Sequence, residues 1–357
     1  MSPASPSAVS FAELFGLRLP LVQAPMLGAS PAAMVAAVSN AGALGSLGGA
    51  GLAPERLAAE IETIRAATAR AFAVNLFVLD EARPDEATVR RARFGLAPGA
   101  PLARYAPDAE AQLEVLVAAR VPIASFTFGV LSAAQVQRLH AAGCYVIGTA
   151  THVAEGIAWR DAGADAICAQ GAEAGGHRGT FIGRAEDALI GTMALVPQLI
   201  DATGLPVLAA GGIMDGRGIA AAIALGAQAA QLGTAFLACA ESGISQPWRE
   251  QLASAGDTAT LVTDAISGRH ARGIRNAMIS TLSAQAETIA PYPVQNALTQ
   301  ELRQAAGRAG DADYLSLWSG QGGPLGRRRG QGLHAAALVE ALDDEWREAR
   351  TCFAKLP

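Results

Sequence analysis

Hydrophobic positions along the chain gather into short runs rich in Val, Ile and Leu, separated by longer stretches with helical spacing. The runs are Leu19–Met26, Leu44–Gly49, Phe72–Leu79, Ile123–Gly129, Cys144–Thr149, Ala166–Gln170, Pro206–Gly212 and Ala229–Gly233. Near-continuous apolar runs of this length read as strands of a parallel sheet covered on both faces. Between them, Ala32–Asn40 follows a Ser30-Pro31 start and Pro54–Arg70 opens on a proline, both signatures of a helix N-terminus. Most intervals between strand starts have room for one strand and one helix, and eight such units predict an α/β fold, a TIM (β/α)8 barrel.

Two intervals are too long for that unit. The third strand is followed by 80–121, with room for extra helices around Pro84–Phe94 and Pro107–Ala119, and the sixth by the glycine-rich stretch Gly171–Arg184. About 120 residues also remain after the eighth strand. The expected division is a barrel from 15–80 and 120–240, closed by a helix near 320–350. Segments 81–119 and 241–319 are expected to form a smaller α/β or mostly helical lobe over the barrel mouth.

Composition narrows the function classes. Hydrophobic residues make up 51% and charged residues 17% of the 357, which excludes a disordered chain. Net charge is −5 and the only basic block is Arg327–Arg329, so nucleic acid is not an expected partner. The sole lysine, Lys355, is the third residue from the end, which removes Schiff-base and P-loop lysine chemistry. Cys144, Cys168, Cys239 and Cys352 form no CxxC pair, so neither a zinc site nor a disulfide framework is expected. Gly218–Ala240 is free of charge but carries Gln228 and Gln231 and switches from helical to strand spacing; it reads as buried core, not a membrane span. With no basic leader before an apolar run, the expected location is cytoplasmic.

Barrel active sites form at the C-terminal ends of the strands. The seventh strand ends at Gly211-Gly212 and the eighth at Gln231-Leu232-Gly233-Thr234, where glycines let backbone N–H groups face an anion. A phosphate between these two ends is expected. His177, flanked by Gly175, Gly176 and Gly179, is the outstanding titratable residue. It can act as a general base, or as a cationic imidazole beside an anionic substrate. His140 and His152 read as helix-surface residues, and His270 and His334 lie in polar tail segments. Glu173 lies four residues before His177 but has no third partner at metal-ligand spacing, so no metal is expected. Pro25 and Met26 end the first strand, and Asn75 and Gln170 place amides at the ends of the third and sixth. Amides and an apolar plate suit a polar flat ring. With the phosphate site, they point to flavin mononucleotide (FMN), a cofactor that carries the redox chemistry itself.

These segments resemble the nitronate monooxygenase family, formerly 2-nitropropane dioxygenases, most closely class I. The similarity runs from Pro20 to Gln331 through Gln23–Met26, Val74–Phe77, Ser125–Gly129, Gln170–Phe181, Ala210–Arg217, Gln231–Phe236 and Ser267–Arg269. The resemblance implies non-covalent FMN held by Met26, Asn75, Gln170, Gly175, Gly212 and Gln231–Thr234, with His177 as catalytic histidine. Tyr292 and Trp318–Gln321 resemble segments that close over the site. The implied reaction is oxidative denitrification of alkyl nitronates, propionate 3-nitronate above all, with O2. The partners are then a small nitronate and O2, with no membrane; a homodimer is compatible with the sequence. An FMN-dependent enoyl-thioester or quinone reductase using NAD(P)H is the alternative on this scaffold. Enoyl reductases resemble the chain around Glu173–His177, but usually carry an acidic residue at the Gln170 position and an aliphatic one at the Arg178 position.

Overall fold

The computed structural model describes residues 9–79 and 105–353. Eight parallel strands build the centre: β1 (Leu21–Gln23), β2 (Gly45–Gly48), β3 (Phe72–Phe77), β4 (Ile123–Thr127), β5 (Tyr145–Ala150), β6 (Ala166–Gln170), β8 (Val207–Ala210) and β9 (Ala229–Leu232). They follow one another around a ring in which β1 pairs with β9 and a Val22–Leu44 bridge joins β1 to β2, as in a TIM barrel. At that seam Gln23 supplements the ladder with its side chain. Its Oε1 accepts from the Ser46 N–H at 3.0 Å and its Nε2 donates to the Ser46 carbonyl at 3.1 Å.

The strands are shorter than the apolar runs for local reasons. Pro20 and Pro25 have no N–H to donate, which brackets β1. Gly211 and Gly212 turn to positive φ (+119° and +74°) and end β8. Alternation then sorts the side chains by parity. Val22, Leu44, Ala73, Ile123, Ile147, Cys168, Leu208 and Ala229 fill the barrel interior, and Phe11 of the short helix α1 (Phe11–Leu14) packs with them. The opposite parity faces the surrounding helices in one large core.

The helix ring contains α2 (Ala32–Asn40), α3 (Pro54–Ala67), α4 (Ala109–Ala119), α5 (Ala133–Ala141), α6 (Val153–Ala162), α7 (Thr192–Thr203) and α8 (Gly216–Ala224). Sequence reasoning grouped 109–119 with the upper lobe, but α4 packs against α3, α5 and β3 and takes the third place in the ring. The helix expected around Pro84–Phe94 lies outside the described residues. A short α9 (Thr234–Leu237) follows β9, and the eighth ring position is taken by α14 (Ala335–Phe353), packed on α8 and α2. None of the described helices is long and apolar enough to cross a membrane.

The intervening tail contains α10 (Gln246–Ser254), α11 (Ala277–Ser283), α12 (Val294–Leu298) and α13 (Gln300–Ala309), with strands β10 (Thr260–Thr263) and β11 (Ala271–Ile274). These segments carry apolar clusters of their own. The glycine-rich stretch after β6 also holds a strand, β7 (Gly176–His177), which pairs antiparallel with β11. That pairing ties the barrel mouth to the tail, and it places His177.

Candidate active site

A cavity of about 310 Å³ opens at the C-terminal ends of the strands, between the barrel and the tail segments. Its barrel side is built by interior-parity residues at the strand ends: Asn75, Ser125, Thr127, Thr149, Cys168, Gln170 and Gln231. Four of them form a hydrogen-bonded series, and Cys168 and Gln231 form a separate pair. Asn75 Nδ2 donates to Ser125 Oγ at 3.0 Å and to Thr127 Oγ1 at 3.3 Å, and Thr127 meets Thr149 at 3.2 Å. Gln231 Nε2 donates to Cys168 Sγ at 3.3 Å. Burial pushes that thiol's pKa up to about 12, so it is a neutral part of the wall.

Pro25, Met26, Asn75, Gln170, Gly175, Gly176, His177, Gly211, Gly212, Gln231, Gly233 and Thr234 all line this one cavity. Leu232 does not. One residue from Gln231 along a strand, it has the opposite parity and is buried in the helix-facing core.

Cofactor fit is tested by what the glycines leave open. The N–H groups of Gly212, Ile213, Gly233 and Thr234 have no acceptor among the described residues. Gly233 has φ −104°, and a Cβ there would meet only Ala24 Cβ at 3.4 Å and Met26 Sδ at 3.6 Å. Space and donors for a phosphate are thus present together. The N-terminus of α8 is not part of that site. Asp215 accepts from the Arg217 and Gly218 N–H groups, and Glu345 accepts from Gly216 N–H.

His177 is placed by three anchors. Gln170 spends both ends of its amide on the loop, with Oε1 accepting from Gly179 N–H at 2.8 Å and Nε2 donating to the His177 carbonyl at 2.9 Å. Arg178, 1% exposed, donates to the carbonyls of Gly171, Gln170 and Ala188. Strand β11 provides the third. The ring then sits among Phe128, Tyr292 and Trp318, at centroid distances of 5.7, 5.6 and 5.2 Å. Phe128 itself adopts φ +82°, an unfavourable backbone for a bulky residue, with the Arg269 guanidinium 4.0 Å above its ring.

His177 Nε2 lies 2.8 Å from Ser267 Oγ, and Ser267 donates its own proton to the Arg269 carbonyl at 3.2 Å. Nε2 therefore carries the hydrogen, and Nδ1 keeps the lone pair. Burial lowers the pKa to about 3, with help from the charges of Arg269 and Arg303. Of the two roles expected for His177, this environment favours the neutral imidazole, the form that can act as a base.

Glu173 is occupied by the Thr192 N–H and hydroxyl, and no group of three metal-ligating side chains occurs among the described residues. His152 precedes α6 and donates from Nε2 to the Ile182 carbonyl at 2.9 Å, and His140 pairs with Asp165; neither lines the cavity. Sequence reasoning missed Arg303 and Trp248, which reach the cavity from the tail with no local motif to mark them.

A profile of the nitronate monooxygenase family matches residues 10–343. A probable nitronate monooxygenase of Staphylococcus aureus (strain Newman) is 39% identical over 319 residues, 87% of this chain and 90% of the relative. Among solved structures, nitroalkane oxidase from Streptomyces ansochromogenes superposes with a TM-score of 0.83 at 39% identity, covering 94% of this chain and 98% of that one. FabK from Thermotoga maritima gives 0.77 at 27%, covering 98% and 99%. The chain is an oxidoreductase and belongs to the nitronate monooxygenase family.

Proposed function

We propose that this enzyme binds FMN and oxidises alkyl nitronates with O2 to a carbonyl compound and nitrite, without consuming NAD(P)H. The observation that carries this reading is a histidine whose Nε2 is held by Ser267, at a cavity that also presents the half-buried cation Arg303. Bound FMN would supply the electron acceptor and pass the electrons on to O2. Gly212, Gly233 and Thr234 would hold its phosphate, and Met26, Asn75 and Gln231 its ring.

The chain's own residues prepare the substrate. For a neutral nitroalkane, His177 Nδ1 takes the α-proton while Ser267 holds Nε2–H. The field of Arg269 and Arg303, which adds to burial in keeping the ring neutral, also favours the anion that forms. As that anion forms, it offsets the same field and raises the affinity of His177 for the proton. A preformed nitronate skips this step. Phe128, Tyr292 and Trp318 surround the imidazole and keep bulk water from it.

The reductase alternative draws on the likeness around Glu173–His177. Arg178 weighs against it, because here a guanidinium, not an aliphatic side chain, anchors the loop. Oxygen uptake and nitrite release are measured with propionate 3-nitronate and, separately, with NADH. Uptake with the nitronate alone is expected. NADH-driven bleaching of the flavin with no nitronate oxidation would replace this reading by the reductase.

A further inference from the structure

Arg303, on α13, is a cation at the cavity without a counter-charge among the described residues. Its Nη2 donates to the Asn296 carbonyl and Oδ1 at 2.7 and 2.9 Å, and its Nη1 makes only a 3.4 Å contact with Ser316 Oγ. Its Nε is buried without a partner. No carboxylate pairs with it among the described residues, and the one ionisable group that favours its charge is the Tyr292 phenol. Burial pushes that phenol's pKa up to about 12, so it is neutral and cannot balance the guanidinium. A half-buried guanidinium left this way is costly unless an anion joins it.

The place of Arg303 says which anion. The rings touching His177 are those of Phe128, Tyr292 and Trp318; the guanidinium lies on the tail side with Asn296 and Ser316. A nitronate carbon presented to His177 Nδ1 is therefore flanked by aromatic surface, with a second polar pole beyond it. That pole offers the spare Nη1 hydrogen, the Ser316 hydroxyl and the Tyr292 hydroxyl, which has no partner among the described residues.

We propose that Arg303 is the specificity-determining residue of the pocket, holding a carboxylate carried by the substrate at the end remote from the nitronate. The inference rests on the nitronate reading above and adds to it the residue that selects a two-ended substrate. Asn296 and Ser316 orient the guanidinium, and Tyr292 serves as a further donor.

The test is binding first, because it does not require turnover. Calorimetry on the flavin-loaded protein compares 3-nitropropionate with 1-nitropropane, which lacks the carboxylate, in the wild type, Arg303→Gln and Arg303→Lys. The preference for 3-nitropropionate should fall ~10–100-fold in Arg303→Gln, the size of a lost charge-assisted bond, and be partly kept in Arg303→Lys. The ratio of kcat/KM for propionate 3-nitronate over propyl-1-nitronate should fall with it. An unchanged preference overturns the proposal, and so does an equal loss for both ligands, which would mean that Arg303 reads the nitro group itself. Loss of flavin from Arg303→Gln at unchanged thermal stability would assign the residue to the cofactor and likewise overturn it. If the wild type oxidises neither nitronate, the functional reading fails, while the binding preference still decides the role of Arg303.

Discussion

At Gly212 and Gly233 one substitution has two meanings, because the backbones differ: φ is +74° at the first and −104° at the second. Alanine at 212 forces an L-residue into the left-handed region, at a cost of ~1–2 kcal/mol. Alanine at 233 is unstrained and meets only ordinary contacts. Gly233→Ala is thus expected to unfold within ~0.5 kcal/mol of the wild type, since its one added methyl meets only ordinary contacts, yet to bind FMN more weakly. Flavin titration of the apoprotein, beside thermal melts of both variants, checks this; full affinity in both would move the phosphate elsewhere. At His177 the expectation concerns protons. Its pKa is lowered to about 3, so the base remains deprotonated as pH falls from 7 towards 5. The kcat/KM for nitroethane should show no acid limb at the ordinary histidine value of about 6.5. His177→Asn should cut nitroethane turnover ~10²–10⁴-fold and affect ethylnitronate far less. An inflection near 6.5 in the wild type, or equal losses on both substrates, would contradict a neutral base.

The element that fixes His177 is the loop between β6 and α7, and Arg178 is its staple, with three carbonyls on one guanidinium. Arg178→Met keeps much of the volume but leaves those acceptors unpaired, and is expected to cost about 2–4 kcal/mol. Chemical denaturation measures the loss, and a wild-type midpoint would show the staple to be redundant. This element also marks where the sequence is readable. Interior-parity residues at strand ends reach the cavity because a period of two fixes which face they share, and the same period sends Leu232 away from Gln231. Motif matching had swept Leu232 in with its neighbours; parity would have separated it. Strand β7 was hidden for a different reason. Two residues, Gly176 and His177, carry no propensity signal, and their pairing with Ala271 and Arg272 spans nearly a hundred positions of sequence.

Across the whole molecule, the barrel is readable in its eight apolar runs, because each strand and its helix bury one another locally. The tail is not, since its segments fold against the barrel mouth and each other through long-range contacts. Arg303 is the clearest case: nothing near it in sequence distinguishes it from Arg308, which lies outside the cavity lining. Helix α14 joins the two regimes, returning from the tail to cover α8 and α2 with Leu338, Val339 and Leu342 fully buried. Leu342→Ala should therefore lower stability by ~2–5 kcal/mol although it lies far from the site, with kcat unchanged at low temperature; a smaller loss would mean that the barrel tolerates an open eighth position. The proposed function makes one central claim, that the cavity passes electrons from a nitronate to a bound flavin. An anaerobic titration of the flavin-loaded protein with propionate 3-nitronate, followed by visible absorbance, tests it most directly. The flavin band is expected to change on adding nitronate alone and to return when O2 is admitted, with nitrite released. A spectrum indifferent to the nitronate but bleached by NADH would contradict it.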